Sequence, residues 1–331
     1  MDKNMRNFFK SRASAAITGI AIVVLASSTF AADQAFPSKP IRMVVGSVPG
    51  SAPDVLARIV GQFMGQSLGQ TVVVDNRSGA TGTIAAKMVS EALPDGYTLY
   101  TAAAAIATTP SVMKLSYDVR KDFAAVGQIA SVPLILVVPA NVAAQNVKDL
   151  IGLAKVKSGN LFYATPGPGG LQHLVTEFFS QSVGIKMVHV PYKGGALAVT
   201  GLLSGEAQLF FSGMPPALPL VRQGRLRALA VTTAARSIAA PEVPTMAQAG
   251  LPGFEADNWH GILAPAKTPS ARIKKINQQL MQILGLEEIK QKFLASGAEP
   301  RWTNETEFQA LINREVDRWA KLAREVGLKP Q

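Results

Sequence analysis

The sequence predicts an α/β protein of two lobes, and three observations lead there. From Ile41 onward, short β-branched runs alternate with longer amphipathic stretches, the pattern of strands joined by helical crossovers in a parallel sheet. The alternation comes in two blocks, separated by apolar runs that end at prolines. A chain of 331 residues with 48% apolar composition can also bury two cores.

In the first block the expected strands are residues 41–46, 71–75 and 97–101; Pro94-Asp95-Gly96 is a turn before the third, which makes Asp95 a turn residue. The second block places strands at 160–165, 186–190, 207–212 and 226–232, with helices between. The runs 134–138, closed by Pro133 and Pro139, and 259–264, closed by Pro265, read as the two crossings of a hinge. From Pro269 the chain reads as helical, with Ile273, Ile276, Leu280, Ile283 and Leu284 at helix spacing and a further helix around 308–322. These helices return to the first lobe, so residues 36–136 with 259–331 form lobe one and residues 137–258 form lobe two.

The amino terminus carries Lys3, Arg6, Lys10 and Arg12, then an apolar run over 13–26, then small residues over 27–32. That is the layout of a secretory signal peptide, and the run is too short for a membrane span. Removal of residues 1–31, with the cut after Ala31, leaves 300 residues and a net charge of +8 out of the full +11. The mature protein is expected to be periplasmic, monomeric and not membrane-embedded. With no cysteine, disulfides, thiolate chemistry and a lipid-bearing cysteine are excluded. Basic residues are spread along the chain without aromatic partners, which disfavours nucleic acid as a partner.

Four junctions place small residues at helix amino termini: residues 48–54, 78–83, 165–170 and 191–195. Such loops lie at the carboxyl edge of a parallel sheet, where unpaired amides and the positive end of a helix hold an anion without a cationic side chain. Ser51 reads as an N-cap and Asp54 as a capping group rather than a ligand contact. No junction has a phosphate-loop or dinucleotide spacing, and no G-x-S-x-G elbow is present. His173, His189 and His260 lack partners at metal-ligand spacing. His173, one turn into the helix after the third loop, reads as a packing or cap-supporting residue, with a direct ligand hydrogen bond as the sharper alternative. No metal, cofactor or catalytic residue is expected.

The ordered set of residues 41–54, Val72-Val73-Val74-Asp75-Asn76-Arg77 through Gly79-Ala80, Pro94-Asp95-Gly96-Tyr97, His189-Val190-Pro191-Tyr192-Lys193-Gly194, Leu226-Arg227-Ala228-Leu229-Ala230-Val231 and Pro241-Glu242-Val243-Pro244-Thr245 resembles the Bug family, the periplasmic receptors of tripartite tricarboxylate transporters. The resemblance covers nearly all of the mature chain. It implies a type II periplasmic binding fold with two lobes and a hinge, and a carboxylate held by backbone amides and bridging waters in the cleft. Candidate ligand contacts are then Pro49, Gly50, Ser51, Ala52, Gly79, Ala80, Thr101, Thr165, Gly167, Pro168, Gly169, Gly170, Tyr192 and Ser212. The chain departs from the family pattern at Val48, where the first loop usually has proline, at Ser51, where it has glycine, and across Ser78-Gly79-Ala80-Thr81-Gly82-Thr83. These changes bear on which carboxylate is bound. The expected partner is a transporter, with a histidine-kinase ectodomain as the alternative; an exported hydrolase on the same architecture ranks third.

Overall fold

In a computed structural model that describes residues 36–157 and 159–330, the elements belong to one unit, Lys39–Gln331. The signal peptide expected at 1–31 lies outside the described residues. The first block runs β1 (Ile41–Val45), α1 (Ala52–Leu68), β2 (Val72–Asn76), a 3₁₀ turn (Ala80–Gly82), α2 (Thr83–Ser90), β3 (Thr98–Ala103) and the short α3 (Ala105–Thr108). Strand β4 (Phe123–Pro139) follows. The second block is α4 (Val147–Val156), β5 (Phe162–Thr165), α5 (Leu171–Val183), β6 (Val188–Pro191), α6 (Gly195–Ser204), β7 (Phe210–Gly213), α7 (Met214–Arg222) and β8 (Leu226–Val231). The chain ends with β9 (Asp257–Pro265), α8 (Ser270–Leu284), α9 (Glu287–Ala295), β10 (Glu299–Pro300) and α10 (Glu305–Glu325).

The alternation correctly marks the parallel pairs, β1 with β2 and β3, and β5 with β6. The sheets are nevertheless mixed, because β9 runs antiparallel to β3 and β4, and β4 runs antiparallel to β7 and β8. A run expected to be five residues closed by Pro133 is instead the end of a 17-residue strand. Pro133 lies inside it, at the point where β4 changes partner: Pro133 is opposite Asp257 of β9, and Leu134 is opposite Gly213 of β7. A proline can sit there because it lacks only a donor, and a change of ladder partner does not require one. Likewise β9 begins two residues earlier than the run 259–264, and the carboxyl-terminal helices are interrupted by β10, which pairs with β4 at Ser131 and Ala130.

Two glycines bring the terminal helices onto this central pair. A Cβ at Gly261 would collide with the ring of Phe308 from α10, and one at Gly127 would lie 2.6 Å from Asn277 Nδ2 of α8. Phe308 can therefore meet Trp259 edge to face at 5.3 Å, and Asn277 can donate to the carbonyls of Val126 and Thr303. Helix α10 starts with a full capping box, Asn304 and Glu307 bonding each other's backbone amides, which fixes its entry onto β4.

Beside the partner change, Asp257 accepts a hydrogen bond from Ser131 Oγ at 2.7 Å, and burial pushes its carboxyl up to about 6. In the unfolded chain the same group ionises near the ordinary aspartate value, about 3.9. Between these values the folded state holds the proton that the unfolded state releases, so this group's contribution to stability falls as pH rises from about 4 to 6. Buried His260, lowered to about 4 by desolvation, acts in the opposite sense, losing stability as pH falls from about 6.5 to 4. Asp257→Asn isolates the first effect. The stability difference, variant minus wild type, should grow between pH 4 and 7 by at most about 3 kcal/mol, because Asp257 keeps some solvent contact. Urea denaturation across that range measures it, and a flat difference would refute a buried, proton-retaining Asp257.

Candidate ligand-binding site

At the carboxyl ends of β1 and β3, the first two loops enclose a cavity of about 210 Å3 lined by Gly46, Ser47, Pro53, Thr81, Gly82, Tyr100, Thr101, Ala103 and Ala105. Close approach shapes it: a Cβ on Gly46 would lie 2.8 Å from the Cα of Gly82 and 2.9 Å from the Tyr100 hydroxyl. Thr101 is 1% exposed, and its Oγ1 has no hydrogen-bond partner among the described residues. The second loop holds Ala80 at φ 46° and Thr81 at φ 56°, a left-handed conformation that is costly for a β-branched residue. Gly79, at φ 133°, lies against the side chain of Ile84.

The first loop is closed on itself. Asp54, almost fully buried, accepts the Gly50 amide at 2.8 Å, Asn76 Nδ2 at 2.9 Å and the Arg58 guanidinium. Burial pushes its carboxyl up, but these donors outweigh that and hold it below the usual aspartate range. The Ser51 amide donates to the Val48 carbonyl, and Ser51 Oγ bonds Ser47 Oγ at 2.5 Å instead of capping α1. The expectation that Gly50 and Ser51 offer free amides is thus not met in this structure, because Asp54 and Val48 take both. Pro49 is exposed beside them, and Ala52 is the first residue of α1.

The third loop behaves differently. Thr165, at the end of β5, bonds through Oγ1 to His189 at 2.6 Å and to the backbone of Gly167, whose amide it accepts at 3.2 Å. The Gly169 amide donates to His173 Nδ1 at 3.1 Å. Behind the loop, the rings of Tyr163, His189 and His173 stack, with the two imidazoles 4.1 Å apart at 12°. Tyr163 hydrogen-bonds to Glu177 at its hydroxyl. Desolvation lowers both histidines, His189 to about 4 with His173 adding to the effect, so both are neutral at pH 7. His173 therefore packs behind the loop and supports it, as the sequence leads one to expect. After Pro168, which has no N–H, the amides of Gly170 and Leu171 have no partner among the described residues.

The chain brings this loop to the first block. Gly169 lies against Val112, and its carbonyl accepts Thr108 Oγ1 at 3.5 Å. Thr108 ends the same short helix α3 whose first residue, Ala105, lines the cavity. Two predicted contacts are placed otherwise. Tyr192 lies over Gly201 and donates its hydroxyl to Glu206 at 2.8 Å. Buried Ser212, opposite Ile135, donates to the Gly213 carbonyl at 2.9 Å. Sequence reasoning left out Ser47, Thr81, Tyr100, Thr108, Val112 and His189. They share no sequence signal: Ser47 and Thr81 follow strands, Tyr100 and His189 lie inside β3 and β6, and Thr108 and Val112 lie beyond β3.

Loops at strand ends in two blocks joined by a shared strand define a two-lobed α/β binding protein. The chain belongs to the family described as "Tripartite tricarboxylate transporter family receptor", whose model matches residues 56–328. It is 35% identical over 317 residues to the protein BugT of Bordetella pertussis, covering 95% of this chain and 97% of BugT. Among solved structures it is similar to Rpa4515 of R. palustris with adipate, at TM-score 0.82 and 34% identity over 89% of this chain and 100% of that one. It is also similar to the periplasmic binding protein BugD, at TM-score 0.79 and 31% identity over 89% and 100%. The fold is that of the periplasmic binding proteins, and the chain is a binding receptor, not an enzyme. No helix among the described residues is long and apolar enough to cross a membrane.

The role of His173 is open to direct measurement. His173→Phe keeps a flat ring against His189 but leaves the buried Gly169 amide without an acceptor, which should cost about 1–3 kcal/mol in ligand-free urea denaturation. His173→Gln, which offers an acceptor, should recover part of that loss. Equal stability of His173→Phe and wild type would show that the amide finds another partner.

Proposed function

We propose that this protein is an extracytoplasmic receptor that captures a small carboxylate and presents it to a tripartite tricarboxylate-type transporter. The observation that carries the reading is the pair of unsatisfied amides, Gly170 and Leu171, at the start of the 13-residue helix α5. An anion there gains two charge-assisted hydrogen bonds and the positive end of the helix. The family's receptor description and the adipate held by a relative of 34% identity support a carboxylate as that anion. The ligand contacts are Gly170 and Leu171, with Thr165, Gly167 and Gly169 holding the loop and Thr101 facing the ligand from the first block. Export by a signal peptide ending at Ala31 completes the proposal.

Residues 36–136 with 259–331 act as one lobe and 137–258 as the other, closing on the ligand by motion about β4 and the start of β9. Closure follows from a ligand that touches both lobes, because it favours the state in which both sets of contacts exist.

The glycines of the third loop allow a clean test. Gly169 has φ 74° and a Cβ there would lie 2.5 Å from Val112 Cγ2, so its replacement loses stability whatever the loop does. Gly170 has φ −73° and ψ 170°, with nothing nearer than 3.9 Å to an added Cβ. Gly170→Asp should therefore fold normally and place a carboxylate at the anion site. In calorimetry against adipate, malate, citrate, benzoate and 4-hydroxybenzoate, wild type should bind at least one of the five. At about 100 times the dissociation constant that ligand should stabilise wild type by about 2.7 kcal/mol, and Gly170→Asp should lose the whole increment while keeping its unliganded melting temperature. A Gly170→Asp variant that binds as wild type does would remove this loop from the site.

A further inference from the structure

We propose that the ligand is a monocarboxylate whose uncharged body enters the cavity between the first two loops, with Thr101 and Thr81 as the residues that select it. This rests on the reading that α5 holds the carboxylate, and it adds what the other end of the molecule is.

The 210 Å3 cavity has no Lys, Arg, His, Asp or Glu in its lining. An apolar cavity of about 150 Å3 accommodates benzene, so the space suffices for a six-membered ring or an aliphatic body of similar size. Pro53, Ala103 and Ala105 line it as apolar residues, and Thr101, whose buried Oγ1 has no partner among the described residues, lines it as well. A buried hydroxyl left without a partner is costly, and a ligand hydroxyl or carbonyl at that point relieves it. A second carboxylate there meets the opposite circumstances. Of the first-loop amides, Gly50 is taken by Asp54 and Ser51 by Val48; the Ala52 amide at the start of α1 has no partner among the described residues, but it lies two residues from the Asp54 carboxylate, which repels a second anion. The nearest charge along the chain is Asp54 itself, one residue after Pro53, and its Arg58 partner is already engaged. An ionised group without a partner in such surroundings pays a large desolvation cost.

Thr81 narrows the same space. It lines the cavity from a left-handed backbone position, φ 56°, that glycine adopts without strain. A threonine kept in that conformation contributes a methyl and a hydroxyl to the cavity wall, at a cost in stability that a purely structural turn would avoid by using glycine.

The test is a ranking on the mature protein, followed by two variants. By calorimetry, 4-hydroxybenzoate and benzoate should bind at least tenfold more tightly than adipate, malate or citrate. Thr101→Val, which keeps the shape and removes the hydroxyl, should weaken 4-hydroxybenzoate at least fivefold relative to benzoate, as a ratio within one variant that is insensitive to general stability. Thr81→Gly should raise the unliganded melting temperature and reduce the preference among benzoates of different ring substitution. If adipate or malate binds more tightly than both benzoates, the monocarboxylate assignment is wrong while the carboxylate receptor stands, and the amides that open α6 become the site for the second charge. If none of the five binds, the assignment falls together with the reading it rests on. An unchanged 4-hydroxybenzoate to benzoate ratio in Thr101→Val would overturn the role of the hydroxyl.

Discussion

One strand serves two sheets, and the site depends on where it changes partners. Over residues 123–133, β4 pairs with β9; from Leu134 to Pro139 it pairs with β7 and β8. The change falls at Pro133, whose missing N–H makes it the residue least able to continue a ladder. The returning chain meets the same point, because Thr232 donates its amide to the Leu134 carbonyl while Ala256 donates to the Thr232 carbonyl and accepts Thr232 Oγ1 at 2.6 Å. The outgoing and returning chains are therefore tied together within a few residues. A short double crossing of this kind is where the proposed closure would turn.

The two blocks treat their loops in opposite ways. In the first, Asp54 draws the Gly50 amide and the side chains of Asn76 and Arg58 together and closes the loop on itself. In the second, side chains bind the early amides of the loop and leave the later ones. Thr165 takes Gly167, His173 takes Gly169, and Gly170 and Leu171 remain. A neutral imidazole is suited to this task, since it accepts a hydrogen bond without adding charge next to an anion site. Stacking of His173 on His189 and of His189 on Tyr163 shields the imidazoles from solvent, and that desolvation favours their neutral form. Rigid support of that kind preorganises two backbone amides for the proposed anion.

Much of this was legible in the sequence where a residue pattern carries local physics. The β-branched runs 41–46, 71–75 and 160–165 marked strands, and the glycine-rich junctions marked the loops after them. The first half of β4 was not legible, because Ala124, Ala125, Gly127 and Ala130 are poor strand formers in isolation. They are strand residues only because β9 and β10 flank them and glycine is needed where Asn277 crosses. Antiparallel pairing of β9 could not be read either, since direction is set by long-range docking and not by composition. At the candidate site, glycine content marked the loops at the strand ends but not which of their amides have partners. That depends on Asp54, Thr165 and His173, whose roles follow from distances between elements.

Affinity and selectivity then have separate origins in this fold. A helix start with free amides recognises a carboxylate of any kind, because the backbone contacts only the charged group. Discrimination must come from side chains that meet the rest of the molecule, and the proposed binding mode places those in the opposite block, around Thr81 and Thr101. The departures from the family pattern fall on that side: Ser51 bonds Ser47, a cavity residue, and Thr81 forms part of the wall. The third loop keeps the family pattern and is the proposed holder of the anion. A receptor built this way can change its ligand by replacing residues of the first two loops while the stacked histidines and the amides they leave free stay as they are.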